Sequence, residues 1–231
     1  MLIKAILFDK DGTIFDFHKT WGEWFYNCID ELSLNNSLLR EKILLTVNFD
    51  NKDKIFKKNS SFIAGTLDET IDEIITFFPD FNKKQLSEWF KEKSYDAKPI
   101  LIEGVPKLLE NFTSNGIILA VITNDLEVTA HHQLKLSKVH HYFTYIFGSD
   151  SGFGFKPMTG MQKEFLRLTK IDPKHILMVG DSDADMVSGK NSGMHCVGVL
   201  TGPATRNDLE PLSDVVLDTI CDIPKYLKTI N

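Results

Sequence analysis

A chain of 231 residues is long enough for one large α/β domain, or for a core domain with a smaller insert, and its hydrophobic fraction of 42% is ordinary for a globular protein. No apolar run reaches membrane-spanning length. The formal net charge of -6 argues against an extended nucleic-acid footprint, which needs clustered Lys and Arg, but leaves room for one small phosphorylated molecule neutralised locally.

The N-terminal stretch is apolar but stops at Asp9, without the longer apolar run and cleavage site of a signal peptide. Ile3 to Phe8 therefore reads as a buried strand entering the turn Asp9-Lys10-Asp11-Gly12-Thr13. From Lys19 to Tyr95 apolar residues recur at helical spacing: Trp21, Trp24, Phe25 and Ile29, then Leu38, Leu39, Ile43 and Leu44. Leu67, Ile71, Ile74, Ile75 and Phe78 form a third stripe, preceded by a capping-box pattern at Thr66 and Glu69. Leu86, Trp89 and Phe90 suggest a further helix. This stretch is expected to be an all-helical unit whose tryptophans pack between helices.

After Pro99 the pattern alternates. Helices are expected at Val105–Phe112 (Pro106 in the first turn), Leu126–Leu136, Met161–Leu168 and Ala184–Asn191, the last ended by Gly193. Near-continuous aliphatic runs predict strands at Ile117–Ile122, Tyr145–Phe147, Ile176–Val179, Cys196–Val199 and Val215–Leu217, with Ile220 to Tyr226 a closing helix. The fold class is α/β, a doubly wound parallel sheet made by residues 1–16 and 97–231, interrupted by helical residues 17–96. Cys28, Cys196 and Cys221 have neither metal-ligand nor disulfide spacing, so core thiols and a reducing cytoplasm are expected.

Polar residues fall where the strands end. Asp9 follows the first strand, Thr123 and Asn124 the second, Asp150 the third with Lys156 a short loop beyond, and Asp181 the fourth. In a parallel sheet these ends share one edge, the edge where ligands bind. Asp9 and Asp11 flank one residue, and two carboxylates about 4 Å apart repel by roughly 4 kcal/mol at an effective dielectric of about 20. Unless one is protonated, something positive must offset this; a hard divalent cation would, and Mg2+ suits carboxylates plus a substrate phosphate, with Asp181 a third carboxylate. Gly12 permits close backbone approach or positive φ, and Thr13 can fix the turn. The adjacent pairs His131-His132 and His140-His141 read as solvated or structural.

Asp9-Lys10-Asp11-Gly12-Thr13-Ile14-Phe15-Asp16 resembles the first motif of the haloacid dehalogenase superfamily. Val121-Ile122-Thr123-Asn124 resembles its second, Lys156-Pro157 its third, and Gly180-Asp181-Ser182-Asp183-Ala184-Asp185 its fourth. The resemblance extends over essentially the whole chain, and residues 17–96 resemble the helical cap of the phosphoglycolate phosphatase-like branch. It implies a Rossmann-like core, with Asp9 as nucleophile and Asp11 as acid and then base. It places Gly12, Thr123, Asn124 and Lys156 toward the substrate. Asp9, Asp181 and the backbone carbonyl of Asp11 would ligate Mg2+, with Asp185 a second ligand or an outer carboxylate. The cap would control access to the site.

This chain departs from the pattern at Lys10, where an apolar residue is usual, at Phe17 and His18, at Asp125, where a basic or small residue is common, and at Thr159, where a second proline is frequent. The expected protein is a cytoplasmic monomer or homodimer hydrolysing a small phosphorylated metabolite, phosphoglycolate-like being one option. A phosphosugar mutase and a non-enzymatic interaction module are the alternatives; the intact set Asp9, Asp11, Thr123, Lys156 and Asp181 disfavours the second.

Overall fold

The structure, a computed structural model, describes residues 2–57, 60–64, 67–95 and 97–230. Thr66, the expected capping hydroxyl, and Asp96, the expected last residue of the helical stretch, lie outside them. The chain divides into two compact units, Met1–Asp16 with Pro99–Asn231, and Phe17–Lys98. In chain order the strands are β1 (Ala5–Phe8), β2 (Phe49–Asp50), β3 (Ile55–Phe56), β4 (Ile118–Ile122), β5 (Tyr145–Phe147), β6 (Ile176–Gly180), β7 (His195–Val199) and β8 (Val215–Leu217).

In the first unit six strands form one parallel sheet in the order β5-β4-β1-β6-β7-β8. The central strands are aliphatic at nearly every position because both faces are covered. Ile6, Phe8, Leu119, Val121, Leu177 and Val179 point to one face, against Val105, Leu109 and Phe112 of helix Val105–Ser114 and Leu134 of helix Glu127–Leu136. Ala5, Leu7, Ala120, Ile122, Ile176 and Met178 point to the other, against Phe165 of helix Gly160–Thr169 and Met186 of helix Asp183–Asn191. The doubly wound sheet follows from this period-2 split of continuous apolar runs.

Local signals set the helix ends. Pro106 lies in the first turn of Val105–Ser114, and Gly193, at φ +76°, turns the chain after Asn191. Ser182 caps Asp183–Asn191, its hydroxyl and the Asp185 carboxylate satisfying orphan amides reciprocally. A short helix, Arg206–Leu209, closed by a Thr205–Asp208 box, has too few apolar residues to show a period in the sequence.

The second unit packs helices Glu23–Leu32, Ser37–Thr46, Leu67–Ile74 and Lys83–Ser94 on an aromatic core of Trp21, Trp24, Phe25, Phe49, Phe56 and Phe90. Trp24 donates its indole N–H to the Lys93 carbonyl at 2.8 Å, so the tryptophans do pack between helices. Phe25 is fully buried, which contributes about 1.5–3 kcal/mol of transfer free energy. The unit is not wholly helical: β2 and β3 form a two-residue antiparallel ribbon. Asn48 and Lys54 take positive φ around its turn, and the Phe49 and Phe56 rings meet at 4.9 Å. Cross-strand ring packing, which helical periodicity does not report, supports this ribbon.

No helix among the described residues is long and apolar enough to cross a membrane.

Candidate active site

Strand order reverses at β1. The chain runs outward from β1 to β4 and β5, then returns to place β6 on the other side of β1. Ligands bind outside the carboxyl ends of strands at such a point. Asp9 directly follows β1, its N–H donating to the Val179 carbonyl at 2.8 Å, and Asp181 directly follows β6. The side chains of Asp9, Asp181 and Asp185 are all buried, and each offers an oxygen within 4.8 Å of the others.

The Lys156 ammonium lies in this acidic cluster, 2.6 Å from Asp9 Oδ1 and 2.6 Å from Asp185 Oδ1. Its loop is fastened by Asn124. The Asn124 amide accepts from Lys156 N–H at 2.8 Å and donates to the Lys156 carbonyl at 3.0 Å. The amide that the resemblance assigns to substrate is thus engaged at both ends by the protein's own main chain. Thr123 is buried at the end of β4, and its Oγ1 accepts the Asp125 N–H at 3.1 Å. Asp150 serves the bland role open to any strand-end Asp, its Oδ1 accepting Glu127 N–H at 2.8 Å at a helix start.

Asp185 has both oxygens engaged. Oδ1 meets Lys156, while Oδ2 accepts from Ser182 N–H at 3.1 Å and Ser182 Oγ at 2.6 Å. Asp181 is walled by glycines: a Cβ on Gly12, itself at φ +79°, would stand 2.4 Å from Asp181 Oδ2, and one on Gly202 would stand 1.7 Å away. Thr201 donates its hydroxyl to the Gly12 carbonyl at 2.6 Å and ties the two loops together. Thr201 and Gly202 escaped the sequence reading; their one signal is a Thr-Gly-Pro turn after β7, at the same sheet edge. The Asp11 carboxylate lies 2.6 Å from the Lys10 ammonium, apart from the Asp9–Asp181–Asp185 group. His131 and His140 pair across the two histidine doublets, ring nitrogen to ring nitrogen at 2.7 Å, a structural contact.

The electrostatics follow from burial. Burial pushes the Asp9 carboxyl up to about 7, reinforced by Asp185 and Asp11 and opposed by Lys156. Burial, then Asp9 and Asp185, raise Asp181 well above the usual carboxylate range. Burial alone would lower the Lys156 ammonium, but Asp185 and Asp9 outweigh it and the net shift is upward. Ionised together, three carboxylates against one ammonium would leave two negative charges held out of water, which is why burial favours protons on them when no cation is bound. A divalent cation with oxygen ligands fits that deficit in charge, hardness and donor type.

The haloacid dehalogenase-like hydrolase family model matches residues 6–199. Pyrophosphatase PpaX of Bacillus mycoides (strain KBAB4) is 27% identical over 234 residues, covering 100% of both chains. A haloacid dehalogenase-like family hydrolase structure from Streptococcus pneumoniae superposes with a TM-score of 0.69 at 22% identity, covering 97% of this chain and 98% of that one. A predicted phosphoglycolate phosphatase from Haemophilus somnus superposes at 0.68 and 23% identity, over 97% and 98%. Similarity at these identities to the two structures establishes a shared fold.

Proposed function

The chain belongs to the haloacid dehalogenase-like hydrolase family, and on that premise we propose a magnesium-dependent phosphatase that moves the phosphoryl group of a small phosphomonoester first to Asp9 and then to water. The observation that carries this reading is the Lys156 ammonium, bridging Asp9 and Asp185 beside Asp181 at the strand-order reversal. Lys156 orders Asp9 and can bind a phosphoryl oxygen, as can the Thr123 hydroxyl.

In the first step an Asp9 carboxylate oxygen attacks phosphorus. The bond from phosphorus to the leaving oxygen breaks, and protonated Asp11 gives its proton to that oxygen. In the second step Asp11, now a carboxylate, takes a proton from water as the water oxygen attacks phosphorus. The bond to Asp9 breaks, releasing inorganic phosphate and restoring both aspartates. A halide leaving group would need no such proton, so Asp11 favours phosphate esters over haloacids. Asp9, Asp181 and the Asp11 carbonyl would hold the ion, which when bound neutralises carboxylate and phosphoryl charge. Asp185, its oxygens engaged by Lys156 and Ser182, suits an outer role that orients Lys156. Asn124 acts by fixing the Lys156 loop.

The proposed substrate class is a small phosphorylated metabolite, a phosphoglycolate-like molecule included, and the proposed compartment is the cytoplasm. Consistent with inert core thiols, Cys28 and Cys196 are buried. Burial, then Asp214, pushes the Cys196 thiol up to about 12.

Rapid acid quench after mixing with phosphate-labelled substrate and Mg2+ should leave label on the peptide containing Asp9, with free phosphate as the final product. Label elsewhere, or an isomerised sugar phosphate in place of free phosphate, would refute the hydrolytic reading. Gly202→Ala supplies a second check. Its methyl would overlap Asp181, so Mg2+ affinity should fall about 10- to 100-fold with folding retained, measured by calorimetric titration. Unchanged affinity would remove Asp181 from the metal set.

A further inference from the structure

Two of the departures from the family pattern meet in space. The Lys10 side chain is fully buried, and its ammonium lies 2.6 Å from Asp11 Oδ2 and 3.1 Å from Asp125 Oδ2, and bonds Gln133 Oε1 as well. The Gln133 oxygen takes one of the ammonium's three N–H donors, and the two carboxylates hold the same cation at ion-pair distance. Each acceptor comes from a different piece of the core. Asp11 belongs to the turn after β1, Asp125 to the loop after β4, and Gln133 to helix Glu127–Leu136.

Asp125 is itself fixed. Its Oδ1 accepts Leu126 N–H at 2.7 Å, its N–H donates to Thr123 Oγ1 at 3.1 Å, and its carbonyl accepts Ser149 N–H at 2.9 Å. Gln133 is buried too, and the Phe15 ring centroid lies 5.8 Å from the Lys10 nitrogen. A cation held this way has little freedom to turn, and the carboxylate it grips inherits that restriction.

We infer that Lys10 is a positioning residue for Asp11: anchored by Asp125 and Gln133, it fixes the orientation in which the Asp11 carboxyl faces the leaving group and the attacking water. The inference rests on the assignment of Asp11 as acid and base. It also explains why an unusual lysine and an unusual aspartate occur together. Without Lys10, Asp125 and Asp11 would face each other with no cation between them, whereas with it they form a lock beside the nucleophile.

Lys10→Met removes the grip while nearly keeping the length of the stem. Positioning loss should appear where Asp11 is needed most. For an alkyl phosphate, whose leaving oxygen needs the proton, kcat/KM should fall about a hundredfold. For an aryl phosphate with a good leaving group it should fall less than about tenfold. With the aryl substrate the phospho-Asp9 fraction at steady state should rise, because water activation is slowed as well.

A merely structural lysine would lower both kcat/KM values in parallel, with no gain in phosphoenzyme. Lys10→Met/Asp125→Asn separates the two accounts further. It removes both charges of the pair, so melting temperature should recover toward that of the unaltered protein while the leaving-group discrimination persists. Should the single variant not fold, the double variant decides alone. Parallel losses, activity that returns together with stability, or full activity would each overturn the anchor. The phospho-Asp9 assignment stands or falls separately, on label recovered from the unaltered protein.

Discussion

Asp9→Asn is expected to abolish turnover, by on the order of 10^4-fold or more, since a missing nucleophile disables every later step. The fold should persist. The substituted side-chain amide keeps an oxygen able to accept from the Lys156 ammonium, which also retains Asp185 at 2.6 Å. The same substitution should raise the melting temperature of metal-free protein at about pH 8. Burial, with Asp185 and Asp11, lifts the Asp9 carboxyl to about 7 despite Lys156, so above that pH the folded core confines a charge it would rather neutralise. An amide removes that charge permanently. Circular dichroism and a phosphate-release assay on one preparation check both parts. Turnover within about tenfold of the unaltered enzyme would end the nucleophile assignment.

Asp9 could be located from sequence because its position is a property of the strand. An aliphatic run buried on both faces has to end, and in a parallel sheet all such ends face one way. The runs ending at Phe8, Ile122 and Val179 therefore point to Asp9, Thr123 and Asp181 from sequence alone. The tasks of residues that act through the main chain or through space were less legible. Asn124 follows Thr123 as any helix-start residue might, and only the fold reveals its amide clasping the Lys156 backbone. Gly202 lies at the far end of the chain from Gly12, yet both wall Asp181.

Asp9 and Asp11 sit one residue apart in sequence but face different cations in the fold. Repulsion between them does require a positive partner, but for the Asp11 carboxylate that partner is the intervening Lys10. Sequence spacing suggested two carboxylates converging on one ion. The turn instead gives one to Lys10 and leaves the other with Asp181 and Asp185. The aromatic ribbon of the helical unit escaped for a related reason, since two-residue strands are shorter than any detectable period.

The largest effect on stability should come from the ion and should depend on pH with a definite sign. Burial, with neighbouring charge, raises Asp181 well above its ordinary value of 3.8 and lifts Asp9 to about 7. A carboxyl raised on folding holds protons that the unfolded chain has released. For Asp9 the stability this contributes is fully present below about pH 4 and is lost as pH climbs through about 7. Metal-free protein is therefore more burdened by Asp9 at about pH 8 than at about pH 5, and at the higher pH Mg2+ meets an Asp9 that has already lost its proton. Saturation at about 100 times Kd adds about 2.7 kcal/mol, which in a chain this size raises Tm by roughly 5–10 °C. At about pH 5 the ion must displace protons first, so the rise should shrink to a fraction of that. Asp181→Asn should remove most of the Mg2+-induced rise while leaving unfolding cooperative, and EDTA should abolish turnover reversibly. Differential scanning calorimetry at the two pH values, with and without Mg2+, is the measurement. Equal rises at both, or none, would show that these three carboxylates do not share an ion.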